Sequence, residues 1–213
     1  AFVIEKEMPG YKVSRLENTV TRQQELRELV FDNLFVPDSY LVQGVGRGLQ
    51  SVLGAVNDIG RMNITSHLNG IILGTYRTAS QYAKERKLFG KPLSALQGIQ
   101  FRLAEMAVDL EVTRLLTYRA AWLRNQGKRN DTEMAAAKYY ASQAAMRDAL
   151  HCVSIHGTYG VLEDYMPQRY FRDVPCRWMA GGTEEAVKNI IGGAVINDAN
   201  PDLSSENMLD AGW

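Results

Sequence analysis

The sequence predicts a mainly α-helical protein, an antiparallel four-helix bundle preceded by a short β region, and three observations predict it. Apolar residues recur at three- and four-residue intervals through the middle of the chain, most clearly Leu96, Ile99, Leu103, Met106 and Leu110. Alanine-rich stretches at 135–137 and 141–145 suit close approach between neighbouring helices. The connections between periodic segments are short, and short connections make consecutive helices antiparallel neighbours.

Residues 1–43 read as strands. Phe2-Val3-Ile4 opens an apolar run, Pro9-Gly10 supplies a turn, and Tyr11, Val13 and Leu16 alternate weakly. Leu29-Val30-Phe31 and Leu34-Phe35-Val36 follow, and Pro37 ends the run. Three or so strands in this length make a poor independent sheet, because each edge leaves ladder groups unpaired. Strand partners are therefore expected outside this polypeptide.

Gly44-Val45-Gly46-Arg47-Gly48 reads as a flexible strand-to-helix linker. It lacks the lysine–serine ending that a phosphate-binding loop requires. From Leu49 the chain turns helical: Ile64, Leu68, Ile71 and Ile72 share a face that Tyr82 continues, with a stop at Gly90 and Pro92. A second helix is expected over about 94–125. A third, capped at Asp131-Thr132, carries Ala136, Tyr139, Tyr140, Ala144, Met146 and Leu150. A turn at Gly157–Gly160, a short element near Gln168-Arg169-Tyr170 and a last helix over about 183–195 complete the bundle. The division is 1–43, 44–196 and a polar, acidic, loosely attached tail over 197–213.

Composition excludes several function classes. The 213 residues contain 24 Lys+Arg against 24 Asp+Glu, so no global field attracts nucleic acid or an anionic membrane. Cys152 and Cys176 are the two cysteines, with no CxxC and no His-rich cluster, which argues against structural zinc and disulfide scaffolds. No apolar run reaches the roughly 18 residues of a membrane span, and no signal segment opens the chain. A soluble intracellular protein is expected, cytoplasmic or, in a eukaryote, in the mitochondrial matrix.

The most informative stretch is Tyr82-Ala83-Lys84-Glu85-Arg86-Lys87-Leu88-Phe89-Gly90-Lys91-Pro92-Leu93, with Gln97 beyond it. Basic residues at a helix C-terminus complement its dipole, and that accounts for Lys84 and Lys87. It does not account for an aromatic between Arg86 and the Gly90 turn, or for the amide at Gln97. The string resembles the Y-x-x-x-R-x-x-F-G-x-P-L-x-x-x-Q signature of acyl-CoA dehydrogenases, in their C-terminal helical domain. Other pieces resemble that family in the same order. Arg22 to Pro37 is similar to the end of its β-domain, Gly46-Arg47-Gly48 to its linker, and Leu103-Ala104-Glu105-Met106 to its next helix. His156-Gly157-Thr158-Tyr159-Gly160 resembles its HGG-x-GY loop, Arg169-Tyr170-Phe171-Arg172-Asp173 its ER-x-x-RD segment, and Gly182-Thr183 with Glu185 its EGT-x-E.

The resemblance implies FAD as cofactor. Arg86 matches an arginine on the FAD pyrophosphate, a role suited to a guanidinium fork. Phe89 matches an aromatic packed near the cofactor, and Gln97 an amide on its nucleotide portion. In the family these groups reach a neighbouring subunit's cofactor, so a homo- or hetero-oligomer, dimer or tetramer, is implied. Gly157 matches a glycine where backbone passes the adenine end, where a side chain would intrude. Ser154 stands where the family has glutamine. Thr183 and Glu185 match residues near the flavin. His156, a loop histidine beside a glycine, reads as structural.

Family chemistry takes a proton α to the thioester carbonyl of an acyl-CoA while a hydride leaves the β-carbon. Its base is a glutamate in a desolvated pocket. The usual seat, immediately before the Gly-Thr pair, is Gly181 here; the seat used in other branches, before an arginine matching Arg61, is Gly60. Glycine accepts no proton. Asp58 and Glu184 are the substitutes to consider, Glu184 reading more naturally as a carboxylate at a helix start. Arg61 is a candidate substrate-side cation. Three functions are compatible: a dehydrogenase completed by other polypeptide and passing electrons to an electron-transfer flavoprotein, a non-catalytic subunit lending cofactor contacts, or flavin chemistry needing no glutamate.

Overall fold

The computed structural model describes residues 1–16, 20–22 and 26–197, apart from the side chain of Asp58. β1 (Tyr11–Leu16) and β2 (Leu26–Phe31) form an antiparallel pair in register from Tyr11↔Phe31 to Leu16↔Leu26. The Tyr11 and Phe31 rings stack at 5.6 Å across the closing end. Gly10 closes this ribbon at φ +89°, with Asp32 N–H donating to its carbonyl at 2.8 Å; a Cβ there would lie 2.2 Å from Asp32 O. The expected strands at Phe2–Ile4 and Leu34–Val36 do not form. Phe2 makes one bridge to Leu41, and Leu34–Val36 lies beyond the end of β2. These runs are apolar, but no described strand lies beside them to complete a ladder.

α1 (Gly48–Ala55) passes through a π-helical turn (Val56–Arg61) into α2 (Met62–Glu85). α2 stops at Glu85, one turn earlier than Gly90 suggests. Arg86 leaves helical geometry, and its carbonyl accepts from Leu93 N–H at 2.8 Å across a tight hairpin of β3 (Lys87–Leu88) and β4 (Lys91–Pro92). A 3₁₀ turn at Leu93–Ala95 delays α3 (Gln97–Asn125), which therefore begins later than the expected residue 94.

α4 (Asp131–His156) starts with Asp131 already helical and Asn130 at the cap position without a capping side-chain bond. The cap expected at Asp131 fails because its carboxylate is engaged sideways: Arg129 Nε and Asn57 Nδ2 both donate to it at 2.5 Å. After a 3₁₀ turn (Gly157–Val161), the short element expected near residue 168 is a full helix, α5 (Pro167–Met179), begun by Pro167 at a position where its missing N–H costs nothing. α6 (Glu184–Ile196) follows, capped by the Thr183 hydroxyl, which accepts from Ala186 N–H at 3.4 Å.

Paired residues give the helix directions. Asn69 meets Thr117 and Arg119 meets Glu133, so α2 and α3, and α3 and α4, are antiparallel. Thr65 lies against Met134 and Tyr82 against His156, which sets α4 parallel to α2. Tyr170 approaches Gly74 and Thr78 while Arg61 reaches Gly181, so α5 runs back along α2. α4 is the central helix because Ala141, Ala144, Ala145 and Ala149 let neighbours close on more than one side. With Leu68, Ile72, Leu110 and Val174 they form one core cluster. A second, of Ala79, Ala83, Leu93, Met106, Cys152 and Ile155, ties the C-terminal ends of α2 and α4 to the start of α3. No helix among the described residues is long and apolar enough to cross a membrane.

Candidate functional site

The second core cluster builds a corner. Above it the chain leaves α2 at Arg86, turns at Phe89-Gly90, enters α3 at Gln97 and leaves α4 at Gly157. Phe89 is at φ +52° and Gly90 at φ +77°, the backbone of a tight hairpin turn. Phenylalanine is an unfavourable residue there, and its ring is 84% exposed. The Arg86 guanidinium lies over the Tyr159 ring at 5.8 Å, a cation–π contact made by a side chain that is itself exposed. Gln97 is exposed in the first turn of α3 and has no hydrogen-bond partner among the described residues.

Gly157 sits at φ +60° and ψ −136°, a conformation only glycine adopts readily. The crowding expected around it is not within this chain: a Cβ would meet nothing within 4 Å. Beneath, His156 is buried, stacks on Tyr82 at 4.0 Å and donates Nδ1–H to Cys152 O at 2.8 Å. Burial holds its pKa below the ordinary histidine value against the effect of that bond. Ser154 is engaged by Arg102 at 2.5 Å, a contact that sequence spacing alone did not suggest.

A second corner lies at the opposite end of α2. Arg61 closes the π turn and donates Nε–H to Gly181 O at 2.9 Å and one terminal N–H to Asn57 Oδ1 at 2.7 Å. Burial lowers its pKa, opposed by the charge of Asp131. The π turn matters locally, since widening the helix there is what puts Asn57 beneath the guanidinium and between it and Asp131. Gly181 and Gly182 have φ +71° and +108°. A Cβ on Gly181 would lie 2.8 Å from Ile64 Cδ1, whereas one on Gly60 meets only ordinary contacts at 3.9–4.0 Å.

Glu184 is engaged by partners of its own: it accepts from Gln143 at 2.5 Å and is ion-paired to Lys188. Glu185 is exposed; its own backbone N–H and the Thr183 hydroxyl lower its pKa. The side chain of Asp58 lies outside the described residues. Lys138, which the sequence pattern did not single out, is fully buried beneath this corner and donates to Trp178 O. Burial, then the nearby Arg61, push its pKa down to about 8, with Glu184 opposing. A groove of about 760 Å³ between α2 and α3, lined by Tyr76, Arg77, Ser80 and Lys84 among others, includes none of the residues predicted from sequence.

Comparison with known proteins bears on both corners. Residues 46–196 match the family model of the acyl-CoA dehydrogenase C-terminal domain. The chain belongs to the acyl-CoA dehydrogenase family. It is 38% identical over 192 residues to an acyl-CoA dehydrogenase of Bacillus subtilis, covering 90% of this chain and 50% of that one. It superposes on butyryl-CoA dehydrogenase of Megasphaera elsdenii with a TM-score of 0.87 at 32% identity, covering 92% of this chain and 51% of the other. A structure described as an electron transferring flavoprotein of Acidaminococcus fermentans gives 0.89 at 32% identity, over 92% and 52%. The chain thus spans about half the length of the relatives it matches. The matched residues include both corners, Arg61 with Gly181 and Arg86 with Gln97 and Gly157.

Proposed function

We propose that this chain is the cofactor-gripping rear part of an FAD-dependent acyl-CoA dehydrogenase, acting on an acyl-CoA thioester in an oligomer. Arg86, Phe89 and Gln97 would hold the pyrophosphate and nucleotide portion, with Gly157 giving the backbone room beside the adenine. The donor set fits such a group: an exposed guanidinium, an exposed aromatic held in an unfavourable turn, and an unpartnered amide converge on one corner. FAD, when bound, supplies the hydride acceptor. Thr183, Glu185 and Arg61 belong to the other corner, beside the flavin ring and the acyl thioester.

The observation that carries this reading is the separation of the corners. Arg61 and Arg86 are 25 residues apart along one helical path, about 37 Å at 1.5 Å per residue. That is farther than one dinucleotide reaches, so the two corners serve different cofactor molecules. The proposal therefore calls for an assembly of at least two subunits. Support comes from α3, where Phe101, Val108, Leu115 and Trp122 recur every seventh residue on a face that leaves each of them 50–61% exposed. Gln97 lies at the head of the same face, so a neighbour covering the seam meets the amide. Residues 44–196 would be the unit that does this, and electrons would pass to an electron-transfer flavoprotein.

A second reading is favoured by a specific observation: both seats of the base are glycine, and Gly181 adopts a left-handed backbone against Ile64, where a glutamate side chain is strained as well as crowded. The chain then acts as a non-catalytic subunit that lends contacts to an active neighbour. Glu184, tied to Gln143 and Lys188, is poorly placed to replace the base.

The native assembly should be purified, weighed intact and examined for bound flavin. Arg86→Ala should weaken flavin binding roughly ten- to a hundredfold, the loss of a hydrogen bond to a charged group at about 1.5–3 kcal/mol. A flavin-free monomer, or undiminished flavin affinity in Arg86→Ala, defeats the proposal. If the assembly binds flavin but acyl-CoA does not bleach it anaerobically, Gly60→Glu should introduce bleaching, because space is available there; Gly181→Glu should instead lower stability.

A further inference from the structure

Asp148 lies on the inner side of α4, between Ala144, Ala145 and Ala149 of the first core cluster and Cys152 of the second. It is fully buried, and neither of its carboxyl oxygens has a hydrogen-bond partner among the described residues. Across the seam α3 presents Asp109, only 3% exposed. Its oxygens accept three contacts from Arg147 at 2.6–2.9 Å and one from the Tyr140 hydroxyl at 2.9 Å. The guanidinium is therefore engaged by Asp109, and a second carboxylate beside it would have no cation of its own. An ionised carboxylate without a partner in such a place is unfavourable, and protonation is the usual escape.

We propose that Asp148 and Asp109 hold one proton between them, and that this proton latches α3 to α4. With it in place, the seam contains a neutral acid beside a matched ion pair. Without it, two buried carboxylates share one guanidinium, that of the partly exposed Arg147. Burial first, then the Asp109 charge, raise the pKa of Asp148, while Arg147 opposes. The remaining ionisable groups do not supply a substitute cation. From α3, Glu105 adds a further negative charge to Asp148. Arg102 donates to Ser154, two turns along α4. On α4, His151 is held at 3.1 Å from Glu105, and burial keeps it toward its neutral form; burial and the charge of Asp148 push the Cys152 thiol up to about 12. α2 and α5 bring Tyr76 and Tyr170 to the adjoining clusters.

The latch is coupled to the Arg86 corner by a ladder of α3–α4 pairs. Beyond Asp109 and Asp148 come Glu105 with His151, then Arg102 with Ser154, then the helix ends at Gln97 and Gly157. Gly157 is nine residues past Asp148, about 14 Å along α4. Opening the seam at high pH would loosen the ladder and misplace the corner. This last step rests on the proposed nucleotide role of the corner; the shared proton does not.

Carboxyl ¹³C NMR of the full chain, in wild type and Asp148→Asn, tests the pair directly. The wild type should show a protonated aspartate at about pH 6 that ionises on going to about pH 9.5, and Asp148→Asn should lack it. Amide hydrogen exchange over residues 97–109 and 147–157, corrected for the intrinsic pH effect, should rise over that range in wild type only. Asp148→Leu, which fills the same space without a polar atom, serves if Asp148→Asn folds poorly. A set of aspartates all ionised at about pH 6, or an exchange profile unchanged by either variant, overturns the latch whatever the protein binds. With the latch confirmed, flavin release between the two pH values in wild type but not in Asp148→Asn supports the coupling, and release that is equal in both removes it.

Discussion

Phe89 and Gly157 carry the corner's backbone in opposite ways. At φ +52° the phenylalanine accepts a conformation that its Cβ disfavours, and 84% of the ring is left in solvent. Neither helps the isolated chain, so Phe89→Gly should leave stability unchanged or raise it by up to about 1 kcal/mol in urea unfolding. The same variant should lose flavin affinity in a fluorescence titration, because the aromatic contact is gone. Gly157→Ala should lower stability instead: no side chain opposes the new methyl, but φ +60° with ψ −136° should cost about 1–3 kcal/mol. Arg86, Phe89 and Gln97 were legible in the sequence as a motif. Their strain and exposure were not, since a positive φ leaves no trace in residue type unless the residue is glycine. Tyr159 was missed as a support of Arg86, and Asn57 as the bridge from Arg61 to Asp131, because each contact joins residues more than 70 positions apart.

Within α4, two ionisable groups sit where alanine patterning predicts a bland packing surface. Asp148 is raised to about 8 and Lys138 lowered to about 8, both principally by burial. For Asp148 the unfolded chain has released its proton by about pH 4 while the folded chain retains it, so stability falls as pH rises toward about 8. For Lys138 the unfolded chain keeps its proton up to about 10.5 while the folded chain gives it up near 8, so stability rises over that higher window. Together they predict a stability minimum near the crossing, measurable by denaturant midpoints across pH. Asp148→Asn should remove the falling limb, and Lys138→Met the rising one. Elements themselves were largely legible, because an apolar stripe marks α2 and turn residues such as Gly90, Pro92 and Gly157 bound the long helical segments. Their ends were not: α2 stops at Glu85 and α3 starts at Gln97 because the Leu93–Arg86 bond closes a hairpin between them, a contact that no helix stop signal encodes.

For the whole molecule, the seam on α3 sets the expectation. Phe101, Val108, Leu115 and Trp122 line one exposed face, with Lys128 over the Trp122 ring at 5.8 Å, while the opposite face is packed on α2 and α4. Leu115→Glu should dissociate the native assembly in sedimentation velocity. As the residue is exposed in the single chain, monomer stability should change by no more than about 0.5 kcal/mol. Flavin should be lost with the subunit contacts, because the Arg86 and Arg61 corners are too far apart to act on one cofactor. The two-stranded β ribbon fits the same picture, with Leu26, Leu29, Val30 and Phe31 exposed, and Arg22 pairs with Glu163 at 2.7 Å between this region and the bundle.

The sequence by itself determined the helical class, the order of the elements and the family, because periodicity and ordered motifs are local and survive without coordinates. It also places glycine at 60 and 181, the two positions to which the resemblance assigns the base. Only the tertiary structure decided that Gly60 stands in open helical space while Gly181 is held at a positive φ, that Glu184 is already partnered, and that Asp148 is buried without a partner beside the Arg147–Asp109 pair. Each of these depends on groups brought together from different helices, and distance in space between such groups is set by packing rather than by spacing along the chain.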